Sequence, residues 1–102
     1  MRRLTWILGA ILLMGTPAPA LAHTAIIDCM EADGECQCQG FFSDMSPATG
    51  ARVTVIDDTG QIIRQGEIDV HGEFSFPLPK THYRVYMHAG PGHNAEPWDP
   101  TE

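Results

Sequence analysis

The chain has 102 residues, with thirteen acids against six bases and a net charge of -7. That balance disfavours nucleic acid or an anionic membrane surface as a partner, because both would repel the chain. The length allows one domain with a modest core.

Residues 1–22 read as a secretory signal peptide. Arg2 and Arg3 give a positive start. The apolar run over 4–15 is shorter than the roughly 20 residues that span a bilayer. Pro17 and Pro19 break it, and Ala20-Leu21-Ala22 has the small-x-small form of a cleavage site. The competing reading is an uncleaved membrane anchor. Cleavage after Ala22 would make His23 the first residue of a mature domain over 23–102. Loss of Arg2 and Arg3 leaves thirteen acids against four bases, a net charge of -9. No second apolar run follows, so a soluble periplasmic protein without direct membrane insertion of the mature chain is expected.

Residues 24–30 and 35–42 suggest a hairpin around Asp33-Gly34, a dipeptide that favours a two-residue type I′ turn. In that register Cys29 lies across from Cys38, at a non-hydrogen-bonded position close enough for a disulfide. Cys36 is two residues from Cys38, so the three thiols share one face with Ile27 and Phe42, and Gln37 and Gln39 take the other. Three readings stay open. They are a Cys29–Cys38 disulfide, a Cys29–Cys36 pairing or three buried reduced thiols, and a thiolate site for a soft metal.

Residues 43–50 form a loop punctuated by Pro47 and Gly50. The central stretch then reads as strand, turn, strand, turn, strand. Val53 and Val55 share one strand face, and Asp57-Asp58-Thr59-Gly60 makes a turn. Residues 62–68 return, Asp69-Val70-His71-Gly72 turns again, and Phe74 and Phe76 alternate with Ser75. No helical period interrupts this stretch. Residues 77–82 form a second loop. In the strand over 83–88, Tyr83, Val85 and Met87 face inward, while Arg84, Tyr86 and His88 face outward. Residues 95–98 suggest a short last strand, limited to an edge by Pro97. Residues 99–102 read as a frayed tail. Six to seven short strands give an all-β fold, a small antiparallel β-sandwich. Its inward set is Ile27, Phe42, Val53, Val55, Ile63, Phe74, Phe76, Tyr83, Val85 and Met87.

The pieces Ala51-x-Val53-x-Val55, Asp58-x-Gly60, Asp69-x-x-Gly72-x-Phe74-x-Phe76 and Tyr83-x-Val85 resemble the carboxypeptidase regulatory-like domain. The resemblance implies a transthyretin-like or immunoglobulin-like sandwich. Phe42-Ser43-Asp44-x-Ser46-Pro47-Ala48, Gly72-Glu73-Phe74-Ser75-Phe76-Pro77 and Ala89-Gly90-Pro91-Gly92-His93 with Ala95-Glu96 are similar to small periplasmic components of energy-coupling-factor nickel and cobalt uptake systems. That second resemblance implies an accessory protein that binds nickel or cobalt, or assists its delivery to the membrane components of an uptake transporter.

The histidines carry the chemistry. A free α-amino group and the imidazole of His23 could chelate one metal ion, because both donors become available near neutral pH. Nitrogen donors suit nickel, copper, cobalt and zinc. His88 faces outward and His93 follows a Gly/Pro connection, so His23, His88 and His93 form the candidate metal set. His71 reads as a turn residue and His82 as a loop residue with no evident partner. The chain carries no Gly-x-Ser-x-Gly, His-Glu-x-x-His or phosphate-loop motif, and no enzyme is expected. The alternatives are a non-catalytic protein-interaction module without metal and a copper-handling protein that uses the cysteines.

Overall fold

The computed structural model describes residues 23–102, and the expected signal peptide over 1–22 lies outside them. Six strands follow one another: β1 Ala25–Ala32, β2 Glu35–Phe42, β3 Arg52–Asp57, β4 Ile62–Glu67, β5 Glu73–Pro77 and β6 Tyr83–His88. They form two antiparallel three-stranded sheets, ordered β1-β2-β5 and β4-β3-β6. The expected antiparallel sandwich is therefore the observed one.

Local chemistry explains each reversal. Asp33 and Gly34 both take positive φ, 55° and 79°, as a type I′ turn requires. The resulting register pairs Cys29 with Cys38. The turns after β3 and β4 share one device. The Asp57 carboxylate accepts from the Thr59 and Gln61 amides, and Asp69 accepts from the His71 and Glu73 amides. Each turn then closes on a glycine, Gly60 or Gly72, whose amide donates to the carbonyl of its aspartate at 3.0 Å.

The core lies between the sheets. Ile27, Val53, Val55, Phe76, Tyr83, Val85 and Met87 are buried there, while Phe42, Ile63 and Phe74 pack against it half-buried. Ile68 is also buried but lies just past β4, so the return strand is one residue shorter than expected. Its amide donates to the Ala51 carbonyl and its carbonyl accepts from the Gly50 amide, which ties the loop before β3 to the chain after β4.

Two expectations about the C-terminal segment need correction. Residues 95–98 do not form a named strand. The chain over 94–98 instead covers the outer edge of β6 through isolated bridges, His88 with Asn94 and Val85 with Trp98. Val85 and Trp98 exchange two backbone hydrogen bonds of 2.9 Å, which occupy an edge that would otherwise be open. The segment after Trp98 is not a frayed tail either, because Asp99 is only 6% exposed and makes several side-chain hydrogen bonds.

Candidate functional site

Three groups of side chains could carry chemistry. The first gathers histidines at the end of the sandwich where β2 and β6 finish. Phe42, the last residue of β2, has two imidazoles near its ring. The His23 ring centroid is 6.5 Å from that of Phe42, and the His93 ring meets Phe42 edge-on at 6.2 Å. His23 is held near this position by its neighbour. The Thr24 amide donates to the Ser43 hydroxyl, and the Thr24 carbonyl accepts from the Ser43 amide. His23 Nε2 lies 3.6 Å from the Asp44 carboxylate. Asp44 itself is held below the usual carboxylate range, chiefly by the Ser46 hydroxyl.

His88 and Phe42 line one concavity at this end. His88 Nδ1 pairs with the Asn94 side-chain oxygen, and His93 Nδ1 lies 3.0 Å from the Pro91 carbonyl. An oxygen faces Nδ1 in both rings, and the tautomer with Nδ1 protonated satisfies that contact. The Nε2 lone pair is then left for a Lewis acid, the usual arrangement of a ligating histidine. The three nitrogens do not themselves form a closed ligand cluster. Among the described residues, the group of three potential donors within 4.8 Å of one another is Cys29, Cys36 and Cys38.

That thiol group is the second site. Cys29 and Cys38 form a disulfide with Cα atoms 4.0 Å apart, as the hairpin register implies. Cys36 is a free thiol, fully buried, with its sulfur 3.8 Å from that of Cys38. Burial pushes the Cys36 thiol above its ordinary value, and the Glu31 carboxylate adds to the effect. The Tyr83 hydroxyl donates to Glu31 beside it. Burial, reinforced by that carboxylate, also drives the Tyr83 hydroxyl upward and keeps it protonated.

The third group centres on His82, for which the sequence offers no partner. His82 Nδ1 lies 2.7 Å from Asp58 and Nε2 lies 2.9 Å from Asp99. Two carboxylates on two ring nitrogens require the imidazolium, since only that form donates from both. The hydrogen bond to Asp99, followed by that to Asp58, raises the His82 pKa. Asp99 also accepts from the Thr101 hydroxyl and amide and from Arg84 Nε. These donors, Thr101 foremost, hold it far below the usual carboxylate range. With both nitrogens taken, His82 is not a metal ligand. Asp58 and Asp99 stand 24 and 17 residues away, so local spacing gave no sign of the cluster. The one legible hint was Asp99-x-Thr101, which repeats the aspartate-to-threonine spacing of the Asp57 turn. His71 is exposed in its turn, as expected.

No family model matches the chain, and no curated protein matches it. Among solved structures, the domain is similar to a segment of native alpha-2-macroglobulin from Escherichia coli spanning domains MG0-NIE-MG1. The TM-score is 0.68 at 13% identity, over 76% of this chain and 25% of the other. The chain thus spans about a quarter of the structure it matches. At that identity the likeness carries the fold, an immunoglobulin-like β-sandwich, and nothing about activity.

Proposed function

We propose that this is an exported, periplasmic β-sandwich of the carboxypeptidase regulatory-like, transthyretin-like kind, which binds nickel or cobalt and assists its delivery to an uptake transporter. The observation that carries this reading is the gathering of His23, Phe42, His88 and His93 at one end of the sandwich. In the tautomer that lets Nδ1 donate to these oxygens, His88 and His93 each leave Nε2 for a metal. His23 would add its imidazole and, after processing, its α-amino group. An all-nitrogen donor set suits a late divalent metal better than magnesium or calcium, which prefer oxygen. The acidic surface, at -9 after processing, would attract cations.

Calorimetry with nickel(II) tests the reading on protein purified from the periplasm, after intact mass confirms a start at His23. One nickel should bind per chain and displace protons as amine and imidazole coordinate. Affinity should fall as the solution is acidified, because protons compete with the metal for the same nitrogens. One extra residue ahead of His23 should weaken binding at least tenfold, because the chelating amine becomes an amide. His93→Ala should weaken it less, and His71→Ala should leave it unchanged. Equal affinity in all four proteins would replace this reading with that of a protein-interaction module.

A further inference from the structure

The disulfide of the first hairpin does not use every sulfur within reach. The Cys29, Cys36 and Cys38 sulfurs all lie within 4.8 Å of one another, on the inner face of the β1-β2-β5 sheet. Cys36 cannot readily join the bridge. Cys36 and Cys38 are two residues apart on one strand, which places their Cα atoms about 6.6 Å apart at a rise of about 3.3 Å per residue. Cys29 and Cys36 are diagonal neighbours, a relation of about 7–8 Å. Both separations sit at or beyond the edge of the disulfide range. Cys29–Cys38 is therefore the favoured pair, and Cys36 stays a thiol beside it.

We infer that reduction of the Cys29–Cys38 bridge converts this cluster into a three-sulfur site for copper(I), distinct from the histidine end. A dithiol reductant supplies the two electrons. Its thiolate attacks one sulfur of the bridge, its second thiol resolves the mixed disulfide, and it leaves as its own disulfide. Cys29 and Cys38 are left as thiols, with two protons transferred. Three thiols then stand within reach of one ion, and their coordination as thiolates would release their protons to solvent. Thiolate bonds of about 2.3 Å, the zinc value, would set the sulfurs of a trigonal site about 4 Å apart. The Cys36 and Cys38 sulfurs already stand at 3.8 Å.

The donor set selects the ion. Soft thiolates favour copper(I), whereas structural zinc takes four ligands and this cluster offers three. Burial serves the same end by excluding water, since Cys29, Cys36 and Cys38 are exposed by 9%, 0% and 2%. Phe76 and Phe74 pair across from Cys36 and Cys38 on β5 and wall the site. The route in follows from topology. Cys29 lies on β1, the outer strand of its sheet, so the reduction that frees the thiols also removes the cross-link holding that edge.

The test is anaerobic titration of the protein with copper(I), buffered by a chromophoric copper(I) chelator, before and after reduction. The reduced protein should take one ion per chain, with thiolate-to-copper charge-transfer absorbance in the ultraviolet. The oxidised protein should take none at that site. Bound copper(I) should raise the thermal midpoint of the reduced protein, which separates a folded site from thiols on an unfolded chain. Cys36→Ser should weaken copper(I) binding at least tenfold, while His93→Ala should leave it unchanged. Equal uptake by the oxidised protein would overturn the inference. So would uptake without a rise in thermal midpoint, or no uptake after reduction. The nickel experiment on the oxidised protein stands or falls separately.

Discussion

At the scale of single residues, His82 and Asp99 act as a latch. They join the loop before β6 to the segment after Trp98, with Arg84 and Asp58 completing the charge pattern. The two pKa shifts set opposite limits on the pH range of that latch. The folded pKa of His82 is raised, so its contribution is complete below the unfolded value of about 6.5. It is lost as pH rises through the folded value. The folded pKa of Asp99 is depressed, so its contribution is complete above an unfolded value of about 3.9 and is lost as pH falls further. Thermal midpoints measured across pH should therefore be highest in a weakly acidic window between those two values. His82→Asn should lower the midpoint within the window and flatten its decline on the alkaline side. A variant with the same alkaline slope as the parent would show that another group sets it.

At the scale of elements, the strands are shaped as much by where side chains are missing as by where they pack. Gly40 continues the inward series Cys36, Cys38 on β2, yet it leaves its place to residues from elsewhere. A Cβ there would lie 2.5 Å from Met87 Sδ and 2.8 Å from Ile68 Cδ1. Met87 comes from β6 and Ile68 from the chain after β4, so the glycine is where the second sheet meets the first. Gly40→Ala should destabilise the fold by about 1–3 kcal/mol, the usual cost of overpacking a core, in urea denaturation. Gly34 presents the opposite case. Its surroundings are open, and its φ of 79° is the constraint. A loss of stability below about 0.5 kcal/mol for Gly40→Ala would mean that Met87 and Ile68 move aside at little cost.

At the scale of the whole molecule, the C-terminal segment completes the sandwich. Trp98 pairs with the edge of β6, and its ring lies 6.2 Å from Tyr83. Tyr83 in turn meets Phe76 edge-on at 5.8 Å, so one aromatic chain runs from the C-terminal segment to the opposite sheet. Removing residues 97–102 would open the β6 edge at Val85, uncover Tyr83 and leave His82 with one carboxylate. The shortened protein should melt at lower temperature and self-associate more readily than the parent, as an exposed edge strand invites pairing. Size-exclusion chromatography and thermal melts read both effects. A monomer with unchanged midpoint would show that the segment is dispensable.

The parts legible in the sequence were those governed by short-range geometry. Asp33-Gly34 set a hairpin register, and the register placed Cys29 opposite Cys38. Alternation with period two picked out Val53, Val55, Val85 and Met87 for the core, because neighbouring strand residues face opposite ways. The outward direction of His88 followed from the same rule. What the sequence left open depended on contacts between distant segments. Nothing in the spacing brought His82 to Asp58 and Asp99, or His23 and His93 to Phe42. Residues 99–102 looked like a free end because a polar tail is unfolded unless something holds it. Here the holding groups, His82 and Arg84, arrive with β6 and the loop before it. Local backbone preference determined the strands and turns of this protein. The burial of Asp99 and the company of each histidine were decided only when the two sheets packed together.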